Sequence, residues 1–185
     1  VRGDLAAAFD RLEATRARVL RRLDGIDRDR LNRPSARGGW SVLQVLHHVT
    51  ASEAASLEYV GKKMKAGESL PRAGMKSRLR LLALQLALAS PLRLKAPAAT
   101  AGVPPEIEPA ELRARWDAVR AAWRERLEGF PVGIVDRTVL RHPYVGLLGL
   151  PDTLGFLQAH LEHHARQVDR LLAEHASRDA GAVGD

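Results

Sequence analysis

Leu112, Trp116, Val119, Trp123 and Leu127 recur every three or four residues between Pro109 and Gly129. Three further stretches of the chain repeat that pattern. A 3.6-residue period puts the apolar positions on one side of a helix, and a helix with one greasy side must bury it against another element. Leu5, Phe9, Leu12, Val19 and Leu23 predict a first helix over about 4–24, ending near Gly25. Asp27 to Gly39 is polar, contains Pro34 and reads as a loop. In GGWSVLQVLHHV, Ser41 fits an N-cap and Gln44 completes a capping box. Trp40 and Val45 suit a hydrophobic staple across that cap. This second helix should run to about Ala66, where Gly67 stops it. Pro109 suits the first turn of the third long helix. Pro151 and Asp152 open the last, expected to end near His175.

The segments between are less regular. Residues 79–89 predict a short helix, 96–109 read as an Ala/Pro-rich linker, and 132–150 form a long connection broken by Gly133, Pro143, Gly146 and Gly149. No stretch is a convincing strand. Aromatics make up only 4% of the chain, so the core must be chiefly Leu, Val and Ala, a mix that favours helices. The expectation is an all-α four-helix bundle with long crossover connections and one short extra helix. One domain should span 1–176, with a flexible tail over 177–185.

Composition narrows the chemistry. The chain has no cysteine, which removes thiolate nucleophiles and every Cys-containing zinc site, so a metal would have to be held by His, Asp or Glu. Its net charge of +7 comes mostly from arginines scattered among 22 acidic residues. No recognised nucleic-acid motif accompanies it and stacking aromatics are scarce, so no specific nucleic-acid partner is expected. No apolar run reaches the roughly 20 residues that span a bilayer. The N-terminal stretch lacks a signal-peptide core, and a cytoplasmic location is expected. The basic, partly amphipathic stretch over 75–95 admits contact with a membrane surface or a partner groove; a helix covering the core is the favoured reading. Trp116 and Trp123, seven apart on one stripe, read as core rather than interface, and a homodimer stays open.

The last helix contains HLEHHARQ, residues 160–167. His160 and His164 sit roughly 40° apart on the helical wheel, inside the stripe of Leu157, Leu161, Val168 and Leu171. His163 falls at its edge and Glu162 roughly opposite. Imidazoles facing a core need partners, and an i, i+4 pair can share a divalent metal. A third ligand must come from another helix, with His47 or His48 the source. The wheel of the second helix does not choose between them. Glu53 lies near the middle of that helix's stripe. It belongs to a metal site or its surroundings, reaches the bundle end, or is paired with an arginine.

Taken together these residues resemble the DinB/YfiT-like superfamily. In that family one histidine follows a Trp-Ser or Trp-Thr helix start by eight positions, as His48 follows Trp40-Ser41, and an H-x-x-x-H pair lies on the last helix, as His160 and His164 do. Arg166 and Gln167 are similar to the family's usual ending, and His142-Pro143-x-x-Gly146 to the loop before the last helix in one subgroup. The resemblance covers about 5–175 and selects His48 over His47. It implies a four-helix bundle with a divalent metal, zinc or nickel first, on His48, His160 and His164. It also implies an S-transferase using a low-molecular-weight thiol such as bacillithiol or mycothiol on an electrophilic substrate. Arg166, or basic residues of 76–95, would then receive the cofactor's anionic groups. A hydrolase, with Glu53 the carboxylate to test as base, is the second reading. A zincin is disfavoured because Leu161 stands where its glutamate belongs. A binding or stress-response protein without turnover is the third.

Overall fold

The computed structural model describes residues 2–90 and 102–182. Six helices carry the fold: α1 (Arg2–Arg21), α2 (Arg28–Asn32), α3 (Val42–Met64), α4 (Met75–Ala89), α5 (Pro109–Glu128) and α6 (Leu150–Ala182). α1, α3, α5 and α6 form the bundle. α1 packs on α6 and α5, and α3 packs on α5 and α6, so α1 and α3 sit diagonally. α4 lies outside this ring against α6. Among the described residues no helix is long and apolar enough to cross a membrane.

The core is built from the predicted stripes. Phe9 and Leu12 of α1, Val45 and Val49 of α3, Trp116 and Trp123 of α5, and Leu157, Leu161 and Val168 of α6 are all buried. The start of α3 follows its local code: Ser41 Oγ accepts from the Gln44 amide, and the Gln44 side chain accepts from the Ser41 amide. Two of the four orphan donors of a helix start are thereby satisfied. Trp40 packs against the core at this point. Pro109 stands in the first turn of α5, where its missing amide costs nothing.

Four boundaries differ from the sequence expectation. The polar 27–39 segment holds the short helix α2, capped by the Asp27 side chain on the Arg30 amide. α4 begins at Met75 rather than at residue 79. α6 continues past His175 to Ala182; 183–185 lie outside the described residues, as does 91–101, which holds the first part of the expected 96–109 linker. The 132–150 connection contains a hairpin, β1 (Leu140–His142) with β2 (Gly146–Leu148), antiparallel with Leu140 opposite Leu148. Gly146 has φ of +96°, which only glycine adopts readily, and this closes the turn. The expectation of no strand fails because these strands are three residues long, too short to carry a period of two. They are held by tertiary contacts. The Thr138 amide donates to Pro71 O at 2.8 Å and the Ala73 amide to Asp136 O at 3.1 Å, stitching the α3–α4 connection to the α5–α6 connection.

Candidate metal centre

α6 and α3 bring three imidazoles together. His48 Nε2 lies 3.2 Å from His160 Nε2, and His164 Nε2 lies 3.2 Å from the same atom. Ligand atoms of the three residues all fall within 4.8 Å of one another, and among the described residues no carboxylate joins the cluster. The local reasons are simple. His160 and His164 are one turn apart on the face of α6 that looks into the bundle, and His48 is on the side of α3 that meets α6. His47, one residue earlier, turns to α5 instead, with Nε2 3.4 Å from Arg115 Nη1.

These nitrogens do not satisfy one another. Gln167 Oε1 lies 2.9 Å from His164 Nδ1, so that nitrogen carries the ring proton and Nε2 presents a lone pair. A proton on His160 Nε2 can serve only one of its two neighbours. His160 Nδ1 is buried with no hydrogen-bond partner. Protonating the rings is also unfavourable. Burial, with smaller contributions from His48 and His163, lowers the His164 pKa to about 3, against the opposing hydrogen bond from Gln167. Burial and then His164 and His48 hold His160 well below its usual value, and burial and then His47 lower His48. Three rings that resist protonation thus gather their ligand nitrogens within 4.8 Å of one another. Imidazole nitrogens about 2.0–2.1 Å from a tetrahedral ion stand roughly 3.3 Å apart. The donor set fits a divalent metal.

Aromatic rings wall the cluster. Trp40 lies 5.2 Å from His48, centroid to centroid, and Phe156 stacks on His160 at 5.6 Å. On the far side of Phe156 is His142, 4.5 Å away, whose Nδ1 accepts from the amides of Tyr144 and Val145. The hairpin thus reaches the edge of the site.

The other residues singled out from sequence are elsewhere. Glu53 is 1% exposed and points to α5. Arg120 holds it through Nε to Oε2 at 2.9 Å and Nη2 to Oε1 at 2.8 Å, while the Trp116 indole N–H donates to Oε2 at 2.9 Å. Both oxygens are engaged, and the carboxylate takes no part in the histidine cluster. Five residues beyond His48, it is turned about 140° away around the helix. Arg166 Nη2 donates to Leu88 O at 2.8 Å, beside His163 Nδ1 on the same carbonyl at 2.9 Å. Both cap the C-terminal end of α4. Of the basic residues in 76–95, those from Arg93 onward lie outside the described residues. The role of Gln167 had no signal in composition or period; its sequence clues are the resemblance of Arg166-Gln167 to the family's ending and a position three residues after His164, within reach along a helix.

A sequence profile described as the DinB superfamily matches residues 11–168. Two solved structures are similar. TT2238, described as a four-helix bundle protein, shares 25% identity at a TM-score of 0.54, over 91% of this chain and 98% of that one. YfiT from Bacillus subtilis shares 21% identity at a TM-score of 0.57, over 96% of this chain and 87% of that one. YfiT is described as a probable metal-dependent hydrolase with an unusual four-helix bundle topology. No curated protein matches the chain.

Proposed function

The chain belongs to the DinB superfamily, and from that premise we propose that it is a metal-dependent enzyme whose three-histidine centre readies the thiol of a small cofactor for transfer to an electrophilic substrate. The observation that carries this reading is a cluster of three imidazole nitrogens that no carboxylate joins among the described residues. A divalent ion on His48, His160 and His164, zinc or nickel first, would supply a Lewis acid with open positions that lowers the pKa of a thiol or water brought to it.

The chain's own residues favour the thiol. Water starts from a pKa of about 15.7 and a thiol from about 8.5, so water has the greater need of a base. The Glu53 oxygens are committed to Arg120 and Trp116, and Glu162 Oε1 accepts from Gln158. Gln167 keeps the His164 proton on Nδ1, and the rings of Trp40 and Phe156 restrict water around the cluster. Arg166 spends one N–H group on Leu88 and offers the others to an anionic group of a thiol such as bacillithiol or mycothiol. A hydrolase is the second reading, favoured by the description of YfiT.

The test is metal content of untagged protein, followed by thiol consumption with bacillithiol or mycothiol and a reactive haloarene. About one ion per chain and thiol-dependent turnover, both lost in His48→Ala, His160→Ala and His164→Ala, are expected. Uptake of no divalent ion would sink both readings. Thiol-independent, metal-dependent ester cleavage that is lost in the same three histidine variants would establish the hydrolase instead.

A further inference from the structure

Among the described residues seven large apolar side chains are exposed, and four of them, Met75, Leu79, Leu82 and Leu86, are on α4. Their spacing of four, three and four lines them up as one stripe along the helix. At 53–68% exposure they are far from the core. The sequence expectation of a helix that covers the core holds only for the opposite side, where Leu81 and Leu88 are buried.

That opposite side also fixes the helix in rotation. Gln85 Nε2 donates to Gly155 O at 3.2 Å, and Leu88 O accepts from both His163 and Arg166. Rolling α4 inward to hide the stripe would break these bonds and expose Leu81 and Leu88. The apolar face is therefore held outward. The hairpin packs beside α4 and adds two of the remaining exposed apolar residues, Tyr144 and Leu147.

The charges around this face are mainly positive, with Asp152 of α6 paired to Arg78 at 3.7 Å. Lys76 flanks the stripe on one side and Arg78 on the other, with Arg80 beyond Lys76, and the helix contains no acidic residue. Exposed Arg141 stands opposite Leu147 in the hairpin. An apolar stripe bordered by long cationic side chains, with a tyrosine at its margin, matches a helix lying in a lipid–water interface. The stems of Lys and Arg follow the apolar layer while their heads meet anionic headgroups. A second copy laid on α4 would bring the same cations against each other, and the neighbouring carboxylate, Asp152, is already paired with Arg78 of its own chain.

We infer that the outer face of α4, extended by Tyr144 and Leu147, docks on an anionic lipid surface. The experiment is co-sedimentation of the full chain with vesicles of phosphatidylcholine alone and of phosphatidylcholine with about one third phosphatidylglycerol. Binding is expected to the anionic vesicles only and to fall with added salt. It should weaken roughly tenfold or more in Leu79→Glu/Leu86→Glu and in Lys76→Glu/Arg80→Glu, because each pair removes one of the two attractions. These side chains are exposed, so circular dichroism and metal content of both variants should match wild type. Absence of binding to anionic vesicles, or equal binding to both kinds, overturns the inference. So does a wild-type dimer in light scattering that Leu79→Glu/Leu86→Glu converts to monomer, since the face would then belong to a second copy.

Discussion

His164 Nδ1 lies 2.9 Å from Gln167 Oε1, one helical turn further along α6. This contact decides which nitrogen of His164 faces the cluster with its lone pair free. A partner on the second ring nitrogen fixes the tautomer and raises ligand basicity, and its loss costs about 10–100-fold in metal affinity. Gln167→Leu is therefore expected to keep the fold while weakening metal binding by that factor, read by competition with a chromogenic chelator. Unchanged affinity would show that the tautomer is held by something else.

Glu53 and Arg120 form a buried pair, at 1% and 3% exposure, with Glu13 on the third arm of the guanidinium. Burial pushes the Glu53 carboxyl upward while Arg120 and the Trp116 N–H oppose it. Removing one partner leaves the other charge buried and alone, at a cost of about 3–5 kcal/mol. Arg120→Met should lose that much in urea unfolding, and Glu53→Met/Arg120→Met should recover most of it. Metal content should be normal in Glu53→Gln. A single variant as stable as wild type would mean that the pair does not brace α3 against α5.

The histidine cluster makes the metal-free protein acid-sensitive. The unfolded chain takes up protons near the ordinary histidine value of 6.5, whereas folded His164 does so only at about 3 and His160 also far below 6.5. Between those values the unfolded state binds more protons, so stability rises with pH across the window and is lost as pH falls through it. The Tm of metal-free protein should drop steadily on acidification below about pH 6.5, more shallowly in His164→Gln. Equal slopes in the two proteins would remove His164 as the cause.

The Ser41–Gln44 capping box sets the start of α3 two turns before His48. Ser41→Ala should cost about 1 kcal/mol, and up to about 2 at a well-formed cap. Thermal or urea unfolding measures it directly. A loss within a few tenths would show that Trp40 packing alone holds this end of the helix.

Several of these features could be read without coordinates because they are local. The capping box needs only Ser41 and Gln44, and the i, i+4 pair of His160 and His164 needs only helical geometry. The stripes of α1, α3, α5 and α6 likewise follow from the need to bury one side of a helix, and with them the bundle. Other features depend on which helix lies next to which. His47 and His48 could not be separated on the wheel, because α3 has two neighbours among the long bundle helices and each ring faces a different one, α5 for His47 and α6 for His48. Resemblance to a family supplied that choice; periodicity had no access to it. The partners of Glu53 lie 63 and 67 residues away on α5. The hairpin rests on pairings between two connections and is too short to show a period. The stripe on α4 looked like core because amphipathicity reports that a helix has an apolar side, never whether the fold supplies a surface to cover it. Local backbone chemistry determined the helices and the histidine pair; packing between distant segments decided the third ligand, the buried ion pair and the uncovered face.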